Sequence, residues 1–218
     1  MRRLLLGSAA ATVVALASAA VVLAADPSKE KIELTAAGQA QAKAEVLRRK
    51  DVGSGWLGGA KKPDLSGTKC SYKPKQSDLV VIGAAETAWH QQGFEIESEA
   101  QVLRTPKMVR LDWQRTAVAP QVVPCLRESF EKQLGSSGKL VSVRRVSFPH
   151  VARLTTAFRL TIDVKTPSGT VPLESDFVAL GQARNEISLS LLGPSAAKTV
   201  LRKAEVRLAR LLAARLGP

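Results

Sequence analysis

Cysteine, histidine, tyrosine and asparagine are all scarce in this chain. Its 218 residues hold two cysteines, two histidines, one tyrosine and a single asparagine, Asn185. Each scarcity closes a class of function. The cysteines, Cys70 and Cys125, stand far apart, so no C-x-x-C redox motif is present. His90 and His150 are the only imidazoles and are remote from both cysteines in sequence, which leaves no zinc-type ligand set. A Ser/His/Asp hydrolase has no visible basis: G-x-S-x-G is absent, and Gly53-Ser54-Gly55 is too short to replace it. A phosphate loop and a dinucleotide fingerprint are missing too. The expectation is therefore no catalytic residues, no metal and no cofactor.

What the chain does have begins at its start. Arg2 and Arg3 precede an uncharged run from Leu4 to Ala25, and the chain turns polar at Asp26. That is the layout of a secretory signal. Val22 and Ala24 supply small residues before the cut, so cleavage is expected after Ala24. No cysteine stands near it, which excludes a lipoprotein anchor. An uncleaved segment would instead anchor the chain, since about 20 apolar residues span a bilayer. Either way the remainder is expected to be secreted, or at least extracytoplasmic. Residues 1–24 are read as signal, 25–34 as linker, and 35–218 as one α+β domain.

The net charge is +13, and losing Arg2 and Arg3 leaves +11 on the mature chain. Outside the cytoplasm such a charge meets anionic lipid head groups or acidic wall polymers rather than nucleic acid. Abundant Ala, Arg, Leu and Val beside a single Asn is the bias expected of a GC-rich genome, to which part of the arginine count is ascribed. In an oxidising compartment Cys70 and Cys125 are expected to form a disulfide.

Along the chain, Thr35 is a good N-cap for a helix over Ala36 to Arg49, which Gly53 and Gly55 stop. Ala60 to Lys75 reads as loop. Leu79 to Ile82 reads as a short strand, Ala84 to Gln92 as a short helix carrying Trp89, and Phe94 to Leu103 as a strand with Glu95, Glu97 and Glu99 on its wet side. Pro106 opens a helix to about Ala117, and Pro124 to Leu134 forms another. Leu140 to Phe148 is a strand. The alternating runs beginning at Leu154, Val171 and Ile187 then form an antiparallel meander with short turns. Ser195 is placed to cap a last helix ending at Leu216. The fold expected is an antiparallel β-sheet of five or six strands, with the N- and C-terminal helices packed on one face.

Candidate site residues follow from this layout. Trp56 succeeds two glycines in a turn and is placed either at a cleft mouth or as a plug over the first helix. Arg153, Arg159 and Thr161 share the polar face of the long strand. Ser188 and Ser190 form the polar face of the last strand. Together they offer charge and hydroxyls to an anionic or sugar-like ligand, and equally suit plain solvent-facing surface. Glu174 and Asp176 are likewise read as the wet side of a half-buried sheet. The last helix carries a basic stripe of Lys203, Arg207 and Arg210, read as facing outward.

The segment from Asp51 to Trp56, Cys70, Ser77-Asp78-Leu79, Pro124-Cys125-Leu126 and the meander ending near Gly181 together resemble the secreted actinobacterial domains similar to the extracellular sensor domain of the kinase PknH. The resemblance implies an antiparallel sheet with helices against it and a ligand cleft. The chain departs from that pattern in having cysteines for one disulfide, where the kinase domain has two, and in lacking a kinase domain. The function expected is a secreted non-catalytic binding or sensor-like module of the cell envelope. The alternative is a basic protein held electrostatically to anionic lipid or wall polymer, and a hydrolase is the remotest reading.

Overall fold

A computed structural model describes residues 30–65 and 70–217. The expected signal at 1–24 lies outside the described residues, as does the first half of the stretch read as linker. Eight strands are described: β1 (Lys31–Ile32), β2 (Leu57–Lys61), β3 (Val80–Gln91), β4 (Phe94–Leu103), β5 (Gly138–Val146), β6 (Leu154–Thr166), β7 (Gly169–Gln182) and β8 (Asn185–Pro194). The helices are α1 (Ala36–Glu45), α2 (Arg49–Val52), α3 (Pro106–Asp112), α4 (Val122–Leu134) and α5 (Lys198–Ala213). A wide π-helical turn, Trp113–Ala117, continues α3.

All eight strands join one sheet, two or three more than expected. The order is β1-β3-β4-β8-β7-β6-β5, with β2 beside β1 along the same outer edge of β3. Every pairing is antiparallel except β1 with β3. The meander β5-β6-β7-β8 stands as the alternation dictates. Alternate residues of a strand point to opposite faces, and the apolar set of each strand finds a helix there.

The segment read as a helix around Trp89 is instead the second half of β3. Its composition favours a helix, yet Ala85, Thr87 and Trp89 point to one face while Glu86, Ala88 and His90 point to the other. Gln92 and Gly93, both at positive φ, then make a tight hairpin into β4. Leu57 to Lys61, part of it assigned to loop, pairs with β3 as β2. The first helix ends early. After Glu45 the chain runs extended so that Val46 and Leu47 enter the core, where the Leu47 amide donates to Ser98 Oγ at 2.8 Å. Ser195 opens a short 3-10 turn and provides no side-chain cap to α5.

Helices cover both faces, not one. On the first face α1, α2 and α5 lie over β3, β4, β8 and β7, and bury Ala42, Leu47, Trp89, Ile96, Leu180, Leu189, Leu208 and Leu212 together. Here α1 crosses β3 backbone to backbone. A Cβ on Gly38 would come 2.2 Å from the Ile82 carbonyl oxygen, and one on Gly83 would come 2.1 Å from that of Gly38. Glycine at both places permits the approach. On the second face Val122, Leu126, Phe130 and Leu134 of α4 recur every fourth residue and pack on Phe158, Leu160, Ile162 and Phe177. Beside them, α3 and the π-helical turn lie over β4, β7 and β8.

Candidate functional site

On the second face a small cavity separates the π-helical turn from the sheet. Trp113, Ala117 and Ala179 give it an apolar wall, and Glu99, Asp112, Thr116, Glu186 and Ser188 bring polar groups. Its volume is about 30 Å³, room for a water molecule or one small head group. π-helical turns interrupt ordinary helices and are frequent at functional sites.

Three carboxyl groups meet in this space. Gln76 Nε2 donates to one oxygen of Asp112 at 2.9 Å, and the Thr116 hydroxyl approaches the other at 3.3 Å. Burial nevertheless raises Asp112 to about 6. Burial and the neighbouring Asp112 push Glu186 well above the usual carboxylate range, so Glu186 carries the proton and donates to Asp112. Burial also raises Glu99 well above that range. One of its oxygens accepts from Gln101 at 3.1 Å, while Oε2 has no hydrogen-bond partner among the described residues. Glu30, just ahead of β1, is raised to about 8 by burial and by Asp112.

The neighbouring part of the face is acidic but paired. Lys61 Nζ lies 2.8 Å from Glu86 and 2.8 Å from Glu97. Glu97 still rises to about 7, because burial outweighs the lysine. The run of glutamates on β4 is therefore not a wet side: Glu97 and Glu99 are both buried.

The disulfide supports the cavity's rim. Cys70 and Cys125 are bridged, tying the segment after β2 to α4. Ser71 adds two bonds to Glu128, at 2.8 and 2.7 Å. From this segment the Tyr72 hydroxyl donates to the Arg115 carbonyl at 2.9 Å, Gln76 reaches Asp112, and Asp78 takes both arms of Arg115 at 2.6 and 3.0 Å. The segment thereby holds Arg115 of the π-helical turn by its carbonyl and its side chain, and Asp112 at the end of α3.

The first face buries charge differently. Arg159 Nε donates to Asp176 at 2.6 Å and its Nη2 to the second oxygen at 3.3 Å. Arg202 holds Glu174 at 2.6 Å. Arg215 reaches both oxygens of Asp51 at 2.8 Å and the Val46 carbonyl at 2.7 Å. Glu205, under α5 beside Asp176, is raised to about 8 by burial and by that neighbour.

The residues expected from the sequence to form a site divide between the two faces. Trp56 is half-buried against the first-face core, and its carbonyl accepts from Arg49 at 2.8 Å. Arg153 is exposed just ahead of β6. Arg159, read as lying on an exposed polar face, is buried by α5 and neutralised by Asp176. Thr161 faces the same way, its hydroxyl accepting from Ser142 at 3.1 Å. Glu174 and Asp176, read as wet, are buried beside them. Ser188 and Ser190 pair with Ala179 and Phe177 on the opposite face, and Ser188 alone of the six lines the cavity. Sequence reasoning missed Glu99, Asp112 and Glu186. The pairing sets Glu99 between Glu86 and Ser188, in a row whose one cation, Lys61 of β2, is already taken by Glu86 and Glu97.

No protein-family model matches the sequence, and no curated protein matches it. Solved structures resemble it at low identity. The extracellular domain of PknH from Mycobacterium tuberculosis is 9% identical, with a TM-score of 0.43 over 79% of this chain and 96% of that one. LpqN, involved in cell envelope biogenesis of the same organism, is 11% identical, with a TM-score of 0.32 over 73% and 83%. A Pseudomonas aeruginosa protein of unknown function, PA94, described as a putative regulator, is 14% identical, with a TM-score of 0.27 over 54% and 83%.

Proposed function

We propose that this chain is a secreted, non-catalytic binding or sensor-like module of the cell envelope, and that its ligand enters the cavity between Trp113–Ala117 and the sheet. The observation that carries this reading is the meeting of Glu99, Asp112 and Glu186 against an indole and two alanines. Convergent polar groups of shifted pKa on an apolar wall are the usual signature of a binding site. Against catalysis, both histidines are exposed and neither lines the cavity. Among the described residues no helix is long and apolar enough to cross a membrane. Native mass spectrometry of the protein taken from its own envelope is the test. A copurified small molecule, lost on Ser188→Leu, is the expected result. A bare mass, unchanged after incubation with envelope extract, overturns it.

A second reading rests on a separate observation. In the layer formed by α1, α2 and α5, the acids Glu45, Asp51 and Glu205 are all buried, while Lys43, Arg48, Lys50, Lys203, Arg207 and Arg210 are exposed. The outer surface of that layer is therefore cationic and suits an anionic lipid or wall polymer. Binding to such material that falls steeply with added salt supports it. Salt-independent or absent binding refutes it.

A further inference from the structure

Glu99, Asp112 and Glu186 share one small cavity, and among the described residues none of them is paired with a lysine or arginine. Glu99 is 2% exposed, yet its Oε2 has no hydrogen-bond partner among the described residues, and Glu186 Oε1 is in the same position. Unpaired buried oxygens are costly, and native proteins leave few of them. Whatever satisfies them must donate hydrogen bonds and tolerate, or supply, positive charge. The fourth wall is the indole of Trp113, whose face attracts cations.

Three candidates fit these demands to different degrees. A metal ion needs several ligands around one point, and among the described residues no group of three His, Cys, Asp or Glu is so placed. A quaternary ammonium has no N–H to offer the oxygens. A primary ammonium on a short methylene stem has three donors and one charge.

We propose that this cavity binds a primary ammonium head group, carried by a small amine or by an amine-bearing wall component. Glu99 and Glu186 accept its N–H groups, and Trp113 covers its remaining side. The inference rests on the binding-module reading and narrows it. Binding moves protons: a glutamic acid that holds the cation first releases its proton to solvent. The charged groups facing the cavity are Glu99 with Glu86, Asp64 and Lys61 behind it, Glu186 from β8, Asp112 and Arg115 from α3 and the turn, and Glu30 ahead of β1. Most are acids that burial holds protonated, so affinity rises as pH rises.

The test titrates the whole secreted protein with ethylammonium and with tetramethylammonium, following the Trp113 indole and the Thr116 and Ser188 amides by NMR. Saturable shifts with ethylammonium, none with tetramethylammonium, and affinity lowered about tenfold by Glu99→Gln are the expected results. Ser188→Leu, which fills the cavity without replacing an acid, should abolish the shifts and serves if Glu99→Gln folds poorly. Retention on insoluble wall material that is lost when its amines are acetylated assigns the source to the wall. Retention indifferent to acetylation, with ethylammonium still bound, assigns it to a small amine. Equal response to both cations, or none to either, overturns the proposal. If none binds while a non-amine ligand copurifies and is displaced by Ser188→Leu, the ammonium inference fails and the binding module stands.

Discussion

The two faces of this sheet share out their buried acids differently. On the first face Asp51, Asp176 and Glu174 each meet an arginine brought by another element, Arg215, Arg159 and Arg202, while Glu45 and Glu205 make no ion pair among the described residues. At the cavity end of the second face, Glu99, Asp112 and Glu186 make no ion pair among the described residues: Glu99 accepts from Gln101, Asp112 from Gln76 and Thr116, and Glu186 bonds to Asp112. The chain has ample arginine, so the second arrangement does not come from a shortage of cations. A paired buried acid is part of the frame. An unpaired one that lines a cavity keeps its bonding capacity for something that comes and goes.

The largest effect should come from the bridge that serves one face only. Reducing Cys70–Cys125, 55 residues apart, should lower stability by about 4 kcal/mol by the chain-entropy argument, measured by denaturant unfolding. Hydrogen exchange should speed up in Trp113–Ala117 and leave α5 protected. Equal loss of protection on both faces would break the comparison.

Arg159→Met comes next. It leaves Asp176 buried beside Glu174 without its partner, at a cost of about 3 kcal/mol. A change below about 1 kcal/mol in urea unfolding would show that the arginine partners on the first face are ornamental.

The pH dependence is smaller and its sign is definite. Glu30 and Glu205 sit at about 8, and Glu45 and Glu97 at about 7, raised from an ordinary 4.5 by burial. Between about pH 5 and pH 8 the folded chain thus holds more protons than the unfolded one, and stability falls as pH rises. The melting temperature should drop across that window. A rise would contradict the protonation assigned to both faces.

The smallest stability effect sharpens the contrast most. Glu99→Gln should change stability by less than about 1 kcal/mol, or raise it slightly, because a neutral amide replaces an acid already held neutral. Its cost should appear in binding alone.

The meander was legible because its strands alternate cleanly and their turns are marked. The disulfide followed from compartment and cysteine count. The segment Ala84–Trp89 misled because alanine and glutamate favour a helix, while burial on both sides of β3 hides the strand's polarity. The site was less legible for a related reason. Glu95, Glu97 and Glu99 alternate in the way a wet strand does, and periodicity says which way a side chain points, not what lies above it. Nothing local to Asp112 or Glu186 shows that the chain brings them beside Glu99. Arg159 failed in the same way, since its cover, α5, arrives from the far end of the sequence.

The outer edge of β3 has a consequence of another kind. It is shared by two short strands, β1 running parallel and β2 antiparallel, set end to end. Neither offers a neighbouring molecule more than five residues of open backbone. At the opposite margin, β5 is bulged at Leu140/Ser142 and carries Lys139, Arg144 and Arg145. Long flat edges recruit strands from other copies, whereas short, bulged or charged ones resist it. The sheet thus ends, on both sides, in strands poorly suited to templating another molecule, and a crowd of folding copies can mature side by side without zipping together.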